Sequence, residues 1–256
     1  MARNAPIPAD SLAGQRLRGG DPTARLAEGV SDASAGLAAV SHLLRGVHPA
    51  TWVFTGDSIT HGALFTEGWR SYPEHFSERV RWELRRFHDV VINTAICGER
   101  SGGLLANLEQ RVLRFRPDVV MVMVGMNDAV AGPSGRDDFR GNLVELVGRL
   151  REAGAIPVLQ TPNLIYIPNC GNRGDVPAYV EIIRVVAELV EVPLIDHWRH
   201  WETRKPEPDA VLGWLQDQSI HPNYMGHREM ARLVCEALGI FDPASLTCSL
   251  PVENRV

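Results

Sequence analysis

Four short blocks of this 256-residue chain hold side chains able to act on one substrate together. The first, VFTGDSITHG at residues 53–62, is an apolar run cut by Gly56 and followed at once by Asp57 and Ser58. It stands a hydroxyl at the tip of a strand. The second, NTAICGERSGG at 93–103, is a glycine-rich turn, and the third, GMND at 125–128, offers the primary amide of Asn127. A nucleophile with hydrogen-bond donors aimed at a developing oxyanion is what acyl transfer requires. The fourth block, IHPNYMGH at 220–227, supplies the imidazole of His221 directly before a proline suited to open a helix. Imidazole beside hydroxyl is the pairing that activates a serine.

Taken singly, each of these residues has a plainer reading. Ser58 or Asp57 could cap a helix, Gly98 could serve a positive-φ turn, and Asn127 could bond its own backbone. His221 could be a surface histidine ahead of a helix. Their joint presence favours the chemical reading for Ser58, Asn127 and His221, while Asp57 is left as a cap without a catalytic role.

The elements that must position these blocks alternate between two periods. TWVFTG, DVVINTA, PDVVMVMVG, AIPVLQTP and VPLIDH are short apolar runs of the kind that fill a sheet buried on both faces. Between and after them SYPEHFSERVRWELRRF, GGLLANLEQRVLRF, RDDFRGNLVELVGRLREAG, AYVEIIRVVAELVE and YMGHREMARLVCEALG have helical spacing. Strands alternating with helices predict an α/β fold: a three-layer α/β/α sandwich around a five-stranded parallel sheet with right-handed crossovers. Successive strand ends then meet on one edge, where open α/β sheets bind ligands. Residues 1–48 read as an N-terminal extension with one helix in ASAGLAAVSHLLRG, and 49–256 as the domain that carries the blocks. NLIYIPNCGNRGDV, from Asn163 to Val176, has few periodic apolar positions and is expected as a long loop on the active-site side.

Composition excludes several functions. A net charge of −5, with arginines scattered among acids, lacks the basic stripe of a nucleic-acid binder. No run approaches the ~18 apolar residues of a membrane span, and the start lacks the apolar core of a secretory signal, so a cytoplasmic protein is expected. Cys97, Cys170, Cys235 and Cys248 have no zinc-like spacing and read as reduced, with a bridge between Cys170 and Cys248 left open. His197 and His200 have helix-like spacing but no evident third ligand, so no metal or other cofactor is expected. Asp128, Asp196, His61 and His227 read as structural or exposed, and Trp82 as buried. Trp69 and Arg70 lie close enough to the strand end to reach substrate.

GDSITHG, NTAICG, GMND and IHPNYMGH, in that order from about Val53 to Leu238, resemble the blocks of the SGNH, or GDSL-type, hydrolases, a family of serine esterases and lipases. The resemblance implies Ser58 as nucleophile and His221 as the base that takes its proton and returns it to the leaving alkoxide. It implies an oxyanion hole from the N–H groups of Ser58 and Gly98 and the amide of Asn127. The chain departs from the family in its last block, where an aspartate usually stands three residues before the histidine. Here that position is Gln218, and Asp217 stands four before. A one-residue bulge would bring Asp217 to the ring; otherwise Gln218 or a backbone carbonyl orients His221 in a Ser–His dyad. Asp217 is the preferred reading. The expected substrate is a small-molecule ester with a small O-acyl group, acetyl first, on a carbohydrate or natural product. Lipid esters, acyl thioesters, transfer to an alcohol, and a non-catalytic binding module are the alternatives, and a homo-oligomer is left open. The G-x-S-x-G elbow of the α/β-hydrolases occurs nowhere in the chain.

Overall fold

A computed structural model describes residues 36–207 and 209–249. Of the expected extension, 1–35 lie outside the described residues. Helix α1 (36–45) packs onto the body through buried Val40 and Leu44, and Ser41 Oγ donates to the carbonyl of Leu238.

The five expected strands form one parallel sheet in the order β2-β1-β3-β4-β5: β1 Thr51–Gly56, β2 Val90–Asn93, β3 Val119–Met123, β4 Ile156–Gln160 and β5 Leu194–Ile195. All five residues of β3 are buried, as an apolar run at the centre of a two-sided sheet should be. The edge strand β2 is only partly covered. Register pairs Val53 with Val120 and Gly56 with Met123, so β1 and β3 end side by side. Strand order reverses at this pair, which makes it the switch point of the sheet, where ligands bind in such folds.

The helices after α1 are α2 Ser58–His61, α3 Tyr72–Glu78, α4 Ser101–Ala106, α5 Leu108–Arg111, α6 Arg136–Glu152, α7 Val176–Leu189, α8 His197–Arg204, α9 Tyr224–Ala237 and α10 Leu246–Ser249. Helices α3 and α9 pack together on one face, and α4, α6 and α7 cover the other. The result is the three-layer α/β sandwich the alternation predicts. Under α3, Trp52, Phe54, Tyr72 and Phe76 meet edge-on or tilted at 5.1–5.7 Å between ring centres.

Two local expectations need correction. GGLLANLEQRVLRF is not one helix: it breaks at Asn107, and a 3₁₀ turn, Leu113–Phe115, follows α5. Trp82, expected in the core, is 64% exposed. A π-helical turn, Arg79–Glu83, follows α3. Its i→i+5 bonding adds a residue to the turn, so the buried stripe Tyr72–Phe76–Val80 stops at Val80 and Trp82 swings outward against Phe87. No helix among the described residues is long and apolar enough to cross a membrane.

Candidate active site

The site begins with a backbone constraint. Gly56 ends β1 at φ +153°, and a Cβ there would lie 2.0 Å from the carbonyl oxygen of Met123. Only glycine lets the ends of β1 and β3 approach this closely. Asp57 then caps α2, its carboxylate accepting the N–H of Ile59 at 3.0 Å. Burial, aided by the charge of Asp128, pushes the Asp57 carboxyl up to about 7 against the lowering effects of the Ile59 N–H and Arg173. The cap reading of Asp57 is what the structure displays, and Ser58 opens the helix, 7% exposed.

From 163 positions away, His221 brings Nε2 to 2.9 Å from Ser58 Oγ. Its position follows from a tight frame. Pro222 pairs with Leu215 in an antiparallel bridge, and Asn223 caps α9 by accepting the N–H groups of Met225 and Gly226 at 3.0 and 3.1 Å. On the other side of the ring, Nδ1 lies 2.5 Å from Asp217 Oδ2. The unusual four-residue spacing is absorbed by Gln218, whose φ of +56° turns the chain through the left-handed region. That is the one-residue bulge that brings Asp217 to the ring, and it turns the Gln218 carbonyl outward to Asn169.

Asp217 Oδ1 accepts three backbone N–H groups, from Ser219, Ile220 and His221, at 2.8–3.1 Å. Burial pushes this carboxyl up, but the His221 ring and those N–H groups outweigh it and hold it well below the usual carboxylate range. An ionised carboxylate only accepts, so Nδ1 carries the proton and Nε2 is left to accept from Ser58. Phe65 stacks flat on the imidazole, 3.5 Å between ring centres at 3°. Nothing in its sequence context marked it.

The glycine turn follows β2. Ile96 N–H bonds the carbonyl of Gly56 at 3.0 Å, beside Ser58. Gly98 takes φ +79°, and its N–H has no backbone acceptor among the described residues. The N–H of Ser58 is a first-turn donor that a helix leaves unpaired. Asn127 follows β3, with Nδ2 donating to the carbonyl of Glu99 at 3.1 Å and Oδ1 accepting from Arg173 Nη2 at 3.0 Å. Arg173 belongs to the loop expected from Asn163 to Val176, and sequence reasoning did not single it out. Asp128 accepts from the N–H and hydroxyl of Ser101 and from the N–H of Gly125, tying β3 to α4.

Residues 54–229 match the model of the GDSL-like lipase/acylhydrolase family, more than two-thirds of the chain and all four blocks except the first residue of the opening run. The chain belongs to this family. It is a carboxylic ester hydrolase with an SGNH-type fold. It is similar to an arylesterase of Vibrio mimicus, 28% identical over 184 residues that cover 72% of this chain and 85% of the relative. It is also similar to an acetylxylan esterase of Geobacillus stearothermophilus, 27% identical over 210 residues, covering 73% and 93%. Among solved structures, an acetyl-xylooligosaccharide esterase from a Geobacillus superposes with a TM-score of 0.61 at 22% identity, over 74% of this chain and 94% of that one.

The remaining candidates separate by burial in this GDSL-type hydrolase. His197 is fully buried on Gln160 at 3.0 Å, and His200 turns to Glu229, so the two serve different partners. Burial, with the charge of His200, brings His197 down to about 3. His227 is also fully buried and accepts the N–H of Tyr72 at 3.3 Å. Asp196 caps α8 and pairs with Arg184. Trp69 stacks on Tyr224 at 4.9 Å, and exposed Arg70 faces Glu78 at 3.8 Å. His61 lies 3.2 Å from the thiol of Cys97. All four cysteines are free; buried Cys170 points its thiol at the carbonyls of Tyr166 and Ser219 rather than at Cys248.

Proposed function

We propose that this enzyme removes a small O-acyl group, acetyl first, from a carbohydrate or natural-product ester through an acyl-enzyme. The observation that carries the mechanism is the unbroken relay Ser58 Oγ–His221–Asp217, with contacts of 2.9 and 2.5 Å. Ser58 Oγ attacks the ester carbonyl carbon while its proton passes to His221 Nε2. The tetrahedral oxyanion is received by the N–H groups of Ser58 and Gly98 and by the Asn127 amide. Collapse breaks the carbon–oxygen bond of the ester, and the leaving alkoxide takes the proton from His221. Water then adds to the acyl-enzyme, its proton going to His221, and a second collapse releases the acid and returns the proton to Ser58 Oγ. Asp217 holds the tautomer and stabilises the imidazolium at each transfer.

Two features support a small acyl group. The names of the relatives include an acetylxylan esterase. The loop beside the site exposes Asn169 and Asn172 and half-buries Arg173, with Ile167 as its exposed large apolar side chain. The test is a panel of esters from acetyl to palmitoyl, with a fluorophosphonate probe. The expected result is greatest kcat/KM on the shortest acyl chains, labelling at Ser58, and loss of both in Ser58→Ala. Preference for palmitoyl overturns the substrate reading; turnover without labelling, surviving in Ser58→Ala, overturns the mechanism.

A further inference from the structure

The loop from Asn163 to Arg173 grips the site from two sides. Toward the acid–base segment, Asn163 Nδ2 donates to the carbonyl of Ile220, Tyr166 N–H and Cys170 Sγ donate to that of Ser219, and Asn169 Nδ2 to that of Gln218, at 2.9–3.3 Å. Toward β3, Arg173 reaches Asn127. Among the described residues, its guanidinium otherwise donates only to its neighbour Asn172, and Nε is buried without a protein partner. A guanidinium has donors and no acceptor. It therefore accepts only one orientation of the Asn127 amide, with oxygen toward Arg173 and nitrogen away. One Nδ2 hydrogen is spent on Glu99, and the other has no acceptor among the described residues.

We infer that Arg173 is a positioning residue for ester hydrolysis, locking the Asn127 amide so that its remaining N–H, never its oxygen, is offered to the oxyanion. This rests on the proposed serine mechanism. Without the guanidinium, only the Glu99 carbonyl still favours this orientation, and an amide held at one end rotates more readily to present lone pairs where negative charge develops. With it, the bond to Oδ1 is charge-assisted and polarises the amide, so the free N–H is a stronger donor. Because charge appears on the substrate oxygen only during reaction, the effect belongs to kcat and not to substrate binding.

The test is a double-mutant cycle on the full chain with a short acyl ester. Removal of one oxyanion donor costs on the order of 10²–10³ in kcat, so Arg173→Met should lower kcat by about 10²-fold with KM within about threefold. Arg173→Lys, which keeps a charged donor, should recover about tenfold of that loss. In an Asn127→Ala background, Arg173→Met should cost less than about threefold, because the group it acts through is gone. Affinity for an alkylboronic acid, which mimics the tetrahedral state, should fall in step with kcat/KM in the single variant. Wild-type kcat in Arg173→Met, or losses that multiply in the double variant, overturn the inference. An inactive wild type instead overturns the esterase mechanism itself, so the two failures are told apart.

Discussion

Replacing Asp217 by asparagine tests the relay at its most unusual point, the four-residue spacing. Asn keeps an oxygen for the three N–H groups of Ser219, Ile220 and His221, so the turn through Gln218 should survive. What is lost is the negative charge 2.5 Å from His221 Nδ1, where the side chains are 14% (His221) and 27% (Asp217) exposed. At that separation and an effective dielectric near 20, the attraction to the imidazolium formed during reaction is about 6.6 kcal/mol at most. At roughly 1.4 kcal/mol per decade, that caps the effect a little below about 10⁵-fold. Solvent screening of the half-open pair and the residual amide dipole lower it, so kcat on a short acyl ester should fall by about 10³- to 10⁴-fold. KM should stay within a few-fold, and fluorophosphonate labelling of Ser58 should slow in parallel. A kcat within about threefold of wild type refutes the reasoning and leaves His221 oriented without Asp217. Gln218→Ala, which keeps the carboxylate, should change the rate far less.

The buried histidines make stability depend on acid. Burial, with lesser effects from His75 and His221, brings His227 down to about 3, so the folded protein holds it neutral while the unfolded chain takes up a proton below about pH 6.5. Its contribution is therefore complete above that pH and lost as pH falls toward 3. His227→Asn, whose oxygen can still accept the Tyr72 N–H, should make the denaturant-measured loss of stability between pH 6.5 and 4 shallower by roughly 1.4 kcal/mol per pH unit. An unchanged slope contradicts this. Gly56→Ala forces a side chain into the Met123 carbonyl at a φ of +153° and should cost at least about 3 kcal/mol of stability. A melting temperature equal to wild type would mean β1 and β3 do not meet this way.

The local chemistry of the chain was enough to define the layers. A buried parallel strand needs only a short apolar run, and a covering helix only an apolar stripe, so all five strands from Thr51–Gly56 to Leu194–Ile195 could be read from neighbours in sequence. The meeting of Ser58 with His221 was legible because topology sends strand ends to one edge, with the glycine turn of Gly98 and the amide of Asn127 expected beside them. Backbone angles and distant partners decided the rest. Whether Asp217 or Gln218 faced the ring depended on a single φ at Gln218, a choice the local sequence left open; in the fold the loop from Asn163 holds the carbonyls of Gln218, Ser219 and Ile220. Trp82 faced outward because a π-helical turn ended the stripe at Val80, and hydrophobic spacing does not report a change in turn size. Arg173 meets Asn127 across 46 positions, and Phe65 lies against His221 from another segment altogether. Such pairings exist only once the core has closed, since hydrogen bonds and ring stacking act over a few ångströms in space and carry no trace along the chain.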